Sequence, residues 1–351
     1  MADAINLIEK YHPRLLNALK FETNLPGKTT KQFKMDGSRG IYLTALKPVP
    51  LSSYNMAASS NRYGTPTEIG DWQQFVEWQD DVSYSITVDK ANFQDGGYMK
   101  NAEAVIRNQN ASVVAPRLEQ KFYSALCNGA GVVKTNNAPS SADILGRLTS
   151  IEADMRNAMI PKSNRFVAIG TTNFQLIRHA LTNLDNVTDK LLLKGVVGKI
   201  GSLNVIETAD TDLPSDVWLV AWWKDAALME FDIDETVVYR KPEGINGIKI
   251  EFRCRHAEDV VGQYANGVVV DCKSSAQQTA PSISVAGAIT VGANSDYTKF
   301  TIDGTDPRYS KTAVKILTGT TPTHTAGDTI KAVSYKAGKV VSDVYTKVTT
   351  S

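Results

Sequence analysis

The chain has 351 residues, with 38 lysines and arginines against 37 aspartates and glutamates and a formal net charge of +1. A surface that gripped nucleic acid through its field would carry a basic excess, because phosphate contacts dominate such affinity; near-neutrality argues against a transcription factor or polymerase. Hydrophobic content of 42% and charged content of 21% are ordinary for a folded chain, and the length implies two or three domains. The three cysteines, Cys127, Cys254 and Cys272, form no CxxC pair, which speaks against a disulfide scaffold and for a reducing compartment. The N-terminus carries acidic residues and no apolar run, so it does not read as a signal peptide. The longest apolar run, Val217 to Trp223, is far short of the roughly 20 residues a spanning helix needs. Synthesis in the cytoplasm, with no membrane partner, is the expectation.

Residues 1–25 read as an arm, a short amphipathic stretch that Pro13 interrupts. Lys28 to Met35 and Arg39 to Leu43 read as extended segments joined at the turn-forming pair Asp36-Gly37. From Lys47 to Gly70 the sequence is polar and without periodicity. A stretch of that length is uncommon inside a compact domain and implies a segment either disordered or held by a neighbour. The aromatic-rich lead Trp72 to Trp78 runs into the alternating strand Val82-Ser-Tyr84-Ser-Ile86-Thr-Val88. A long helical segment then covers about Tyr98 to Cys127. Pro116 lies inside it, which predicts two near-collinear helices with the proline opening the second, ended by Gly129 and Gly131.

Residues 139–272 read as one α/β unit. Ser140 and Asp143 resemble a capping box ahead of the stripe Ile144, Leu148, Ile151 and Met155. Arg165 to Ile169, Lys199 to Ile206, Val217 to Trp222 and Glu230 to Tyr239 read as strands, and Ile248 to Arg255 with Gln263 to Val270 as a further pair. Residues 273–281 are a linker by content, and 282–351 offer five or six short β runs suited to a small sandwich.

No catalytic, cofactor or metal residues emerge. His12, His179, His256 and His324 are scattered without ligand spacing, and no cysteine sits in a nucleophile motif. Gly195-Val-Val-Gly198-Lys-Ile-Gly201 lacks the ending of a phosphate loop and reads as turn glycines. Asp232, Asp234 and Glu235 read as a solvated acidic strand end, with a hard cation as the lesser alternative. Asp303-Gly304 and Asp306-Pro307 are turn formers, with calcium again the lesser alternative. Trp72, Phe75, Trp78 and Tyr84 belong to a core or a subunit interface rather than a ligand pocket.

In its order of elements the stretch 1–272 resembles the tailed-bacteriophage major capsid proteins of the Hong Kong 97 type. The residues that carry the likeness are Ser85-Ile-Thr-Val-Asp89-Lys before the long helix, Ala115-Pro-Arg-Leu-Glu119 inside it, and Gly198-Lys-Ile-Gly201-Ser-Leu-Asn-Val-Ile206. The resemblance implies an α+β capsid fold with an N-arm at 1–25, an extended loop at 28–80, a spine helix at 97–128, an axial domain at 139–240 and peripheral strands at 246–272. It also implies a structural, non-enzymatic role: pentamers and hexamers of the chain would tile an icosahedral shell in the virion, enclosing double-stranded DNA without sequence-specific contact. A portal protein and a separate scaffolding protein would be partners, since no charged helical segment precedes the arm. Phe300 to Pro307 with Ile330 to Ser342 resembles the small immunoglobulin-like modules appended to chitobiase-type glycosidases. That implies an outward-facing module at 282–351 for weak attachment, with a host-surface glycan as its ligand. The alternative readings are a carbohydrate-binding surface adhesin, which would want a secretion signal, and a glycosidase, which would want a carboxylate pair on barrel strands.

Overall fold

The computed structural model describes residues 25, 27–33, 39–46, 49–90, 102–182, 198–240 and 242–350. All of the expected arm except Leu25, the Asp36-Gly37 turn, His12, Gly195 and the start of the helix expected from Tyr98 lie outside the described residues. The first strands are β1 (Gly40–Leu46), β2 (Asp71–Glu77) and β3 (Asp80–Asp89). β3 is the strand legible from its alternation: Val82, Tyr84, Ile86 and Val88 turn inward while Asp81, Ser83, Ser85 and Thr87 stay exposed.

The long helix consists of α1 (Ala102–Gln109), a five-residue π turn over Asn110–Val114, and α2 (Ala115–Asn128). In the π turn the Ala115 N–H donates to Asn110 O, one residue further back than in an α-helix. Pro116, in the first turn of α2, has no N–H to give. The widened turn absorbs that loss, so the chain passes the proline without breaking. Downstream come β4 (Val132–Thr135), α3 (Ile144–Asn157), β5 (Arg165–Gly170) and α4 (Thr171–Thr182). The strands β6 (Lys199–Ile200), β7 (Leu203–Thr208), β8 (Val217–Trp223), β9 (Ala227–Arg240), β10 (Gly247–Val260) and β11 (Val268–Cys272) follow.

The strands from β3 to β11 form two sheets around the long helix. The order β3-β10-β9 makes an antiparallel three-stranded sheet, and β4-β11-β8-β5-β7-β6 makes a mixed six-stranded one, parallel at β5/β7 and β4/β11. One face of the larger sheet, with Ala168, Val220, Trp222 and Val270, packs on Leu118, Phe122 and Leu126 of α2. Its other face, with Val167, Ile169, Leu219 and Ala221, packs on Ile144, Leu148, Ile151 and Met155 of α3 and on Phe174 and Ile177 of α4. β8, and β11 as far as Val270, thus read as continuous apolar runs because both of their faces are covered. The inner face of the smaller sheet meets the same helix, with Tyr84 stacked on Phe252 at 4.9 Å between ring centroids.

Three expectations change. β9 pairs with β10 along its length rather than joining the α/β unit, and β11 lies inside the six-stranded sheet rather than beside β10. Gln263 to Gly267 belongs to a 3-10 turn, so the strand that follows β10 starts at Val268. The expected capping box keeps its backward bond: Asp143 directly precedes the helix, and its carboxylate reaches back to accept from the Ser140 N–H at 2.6 Å.

The last strands are β12 (Ser282–Ile283), β13 (Ile289–Thr290), β14 (Tyr297–Thr301), β15 (Val314–Ile316), β16 (Thr329–Tyr335) and β17 (Tyr345–Val348). They make a two-stranded sheet, β12-β13, and a four-stranded sheet ordered β15-β14-β16-β17. The two sheets share a small core of Ile283, Ile289, Phe300, Ile330 and Ala332.

Candidate assembly surfaces

β1 and β2 form an antiparallel hairpin in which Leu43 faces Gln74 and Tyr42 faces Phe75. The partner of the 39–43 segment is therefore the aromatic lead at 71–77; among the described residues, 27–33 contain no strand. Leu43 and Val76 point down onto Leu228, Ala257 and Val261. Gln74, almost fully buried between them, is a polar peg. Its Nε2 donates to Val260 O at 2.9 Å and to Asp259 Oδ2 at 3.2 Å, and its Oε1 accepts from the Gly262 N–H at 2.8 Å. A buried amide with its bonds made is specific in position and costly to displace. The signal in the sequence was a lone polar residue at an inward position between Trp72 and Val76.

Beyond the hairpin, residues 49–70 form no strand and are held by their own turns. Asn55 N–H donates to Arg62 O at 2.9 Å, Ser52 Oγ donates to Tyr63 O at 2.7 Å, and Tyr54 meets Tyr63 edge-on at 5.0 Å. The segment carries large apolar side chains into solvent: Leu51 is 102% exposed, Tyr63 83%, Met56 79% and Ile69 57%. No other described stretch concentrates exposed apolar side chains so densely. A run so dense in exposed apolar side chains makes the loop a candidate interaction site.

The foot of β3 is tied to the long helix by Asp80, which accepts from Arg117 at 3.0 Å and pairs with Lys121 at 3.2 Å. Burial opposes ionisation of Asp80, and the two cations outweigh it, holding its carboxyl below the usual range. On the outer face of the three-stranded sheet Arg253 grips Asp81 through two nitrogens, at 3.0 and 2.6 Å. Exposed pairs of this kind add little stability; they keep the face charged and unsuited to unplanned pairing.

The groups weighed for chemistry do not converge. Cys127, Cys254 and Cys272 are all buried, and burial pushes each thiol up, Cys272 to about 12, so none is a nucleophile. His179 is exposed on α4, His324 meets Pro322 O at 2.9 Å, and His256 is fully buried with Nδ1 2.5 Å from Glu258 Oε1. Among the described residues no group of His, Cys, Asp and Glu is placed to hold a metal. A register jump between Arg255 and His256 leaves Asp232 as the extra residue of a bulge, where it accepts from Arg255 at 3.2 Å. Asp303 accepts from the Thr305 N–H and from Thr312 Oγ1, and Asp306 from the Arg308 N–H and guanidinium, so both shape turns. The aromatic four are dispersed. Trp72, Trp78 and Tyr84 pack on hydrophobic clusters, while Phe75 lies on the hairpin's outer face against exposed Tyr42, ring centroids 4.8 Å apart.

No family model matches the sequence, and no curated protein matches it. Solved structures do. A chain from Mycobacterium phage Che8 superposes with a TM-score of 0.58 at 19% identity, covering 71% of this chain and 90% of that one. The capsid of the cyanophage P-SCSP1u gives a TM-score of 0.54 at 11% identity, over 71% of this chain and 91% of that one. The mature capsid of bacteriophage PhiM1 gives 0.52 at 11% identity, over 72% and 87%. The fold is the Hong Kong 97-type capsid fold. Nearly all of each solved chain is matched, while more than a quarter of this one is left over, a remainder large enough to hold residues 282–351.

Proposed function

We propose that this chain is a structural shell subunit, the major capsid protein of a tailed bacteriophage, whose function is to assemble with copies of itself. The observation that carries the reading is the loop at 49–70: on a chain of capsid fold, it presents Leu51, Met56 and Ile69 to solvent, with Tyr63 83% exposed beside Tyr54. A neighbouring copy supplies the cover that the described residues do not. Shell contacts of about 800 Å² per partner are individually modest and become effectively permanent when each subunit is held by several neighbours at once. The net charge of +1 suits a wall that encloses double-stranded DNA without gripping it. A portal protein, a separate scaffolding protein and residence in the virion belong to this reading. In the same terms, residues 139–240 are proposed as the axial region and 246–272 as peripheral strands, with β9 and β11 exchanged between them as their sheets dictate.

A glycan-gripping role for residues 282–351 has less support. Sugar platforms expose several flat aromatic rings, whereas Tyr309 and Tyr335 of this module are buried and Tyr297 is stacked on Tyr335 at 4.8 Å, which leaves Tyr345 as its one exposed tyrosine. The test of the shell reading is electron microscopy and sedimentation of the protein expressed in bacteria, alone and with candidate scaffold. Closed shells or rings of five and six support it. A species that stays monomeric under both conditions counts against it.

A further inference from the structure

By composition residues 273–281 are a tether, and a tethered module would hang free. The structure shows the reverse. Ala276 is buried in the main core, the Val340 N–H donates to its carbonyl at 3.0 Å, and the Gln278 N–H donates to Val340 O at 2.9 Å. The four-stranded sheet of the module has its two faces covered. One face holds the module's own core, and the other, through Val333, Tyr335 and Val341, packs toward Val133 of β4. A small sandwich standing alone would leave that second face to water.

The contact concentrates in the loop 306–312. Tyr309 is 6% exposed, and its hydroxyl donates to Gly129 O at 2.7 Å, the residue that ends α2. Arg308 donates to Ala130 O at 2.5 Å while its other nitrogens hold Asp306. Lys311 Nζ donates to Gln73 Oε1 at 2.7 Å, on the hairpin strand β2. Between them sits Gly262, where an added Cβ would lie 2.4 Å from Tyr309 Cβ and 2.7 Å from Trp72 Cζ2. One loop therefore touches the end of the long helix, the turn after β10 and the base of the hairpin.

We propose that residues 282–351 are an internal brace: the loop 306–312 wedges between the helix end and β2 and fixes the direction in which the hairpin leaves the body. Gln74 pins the hairpin from beneath and the module pins it from the side, so the apolar loop at 49–70 is presented in one orientation. The consequence for a shell rests on the proposed function; the brace itself does not.

The experiment is hydrogen–deuterium exchange on the full-length subunit and on Tyr309→Phe and Lys311→Ala. Each change removes one named bond across the junction with little effect on the module's own core. The brace predicts exchange of the amides in 40–46 and 71–77 that is several-fold faster in each variant and at least tenfold faster in the double variant. Exchange in α3 and β5 should stay unchanged. Unchanged hairpin exchange in the double variant overturns the proposal. So does a uniform rise across all elements, which would mean general loosening. Particle diameter from the same double variant reads the shell consequence separately. Faster hairpin exchange in a protein that never forms shells leaves the brace standing and removes the shell reading; normal exchange with normal shells does the opposite.

Discussion

The six-stranded sheet with its three helices and the β1-β2 hairpin with its loop use apolar residues in opposite ways. In the first, Ile151, Met155, Ile169, Leu219 and Trp222 are all fully buried by other parts of the same chain. In the second, burial stops at the hairpin base, at Leu43, Gln74 and Val76, and the residues beyond carry Leu51, Met56 and Tyr63 into water. Side chains of the first kind stabilise the subunit. Those of the second contribute almost nothing to it, and their apolar surface gains value only against another molecule.

Substitutions should separate the two regions. The largest loss is expected for Trp222→Ala. The ring packs against Phe122, Tyr123 and Phe166 and its Nε1 donates to Lys28 O at 3.0 Å, so truncation should cost about 3–5 kcal/mol in chemical unfolding of the isolated subunit. Next is Gly262→Ala, which forces Tyr309 and Trp72 apart at the one place where hairpin, body and module meet. About 1–3 kcal/mol is expected, measurable in the same assay.

A pH series gives a third, smaller effect. Asp259 lines the cleft of about 620 Å³ between β10 and the module; burial pushes its carboxyl up to about 6, opposed by the charge of Lys299 and by hydrogen bonds from the Val260 N–H and Gln74. The folded protein keeps this proton at a pH where the unfolded chain has released it. Stability from this group is therefore present below about pH 4 and is lost as pH rises through about 6. The expected contribution, up to about 2 kcal/mol, should appear as a higher melting temperature at pH 5 than at pH 7 and vanish in Asp259→Ala. Carboxyls held low by partners, such as Asp80 and Asp303, act oppositely and only in stronger acid. The smallest effect on folding is expected for deletion of residues 50–66: an unfolding free energy within about 0.5 kcal/mol of the parent, with assembly abolished. A large stability loss from that deletion would merge the two regions and undo the comparison.

What could be read in advance followed range. β3 announced itself by strict alternation, and the helix that continues past Pro116 by its 3-to-4 spacing, because both signals lie within a few residues. Pairing over distance was hidden. The partner of β1 lies across 49–70 and the Asp36-Gly37 pair suggested a nearer one; β3 joins β10 across more than 150 residues, and nothing local says that β9 follows it. Composition at 273–281 suggests a free linker, yet Ala276 and Gln278 there are pinned by backbone bonds to Val340. Of the assembly surface, the unusual loop was visible as a stretch lacking periodicity. Its apolar exposure was not, since exposure is decided by what the rest of the chain fails to cover, and Gln74 left only the weak signal of one polar residue at an inward position.

The most direct measurement is electron microscopy with sedimentation of the intact chain beside the chain lacking residues 50–66, at equal concentration and under identical conditions. The account predicts closed shells or five- and six-fold rings from the first and only folded, slowly sedimenting subunits from the second. Shells of normal size from the shortened chain would contradict it.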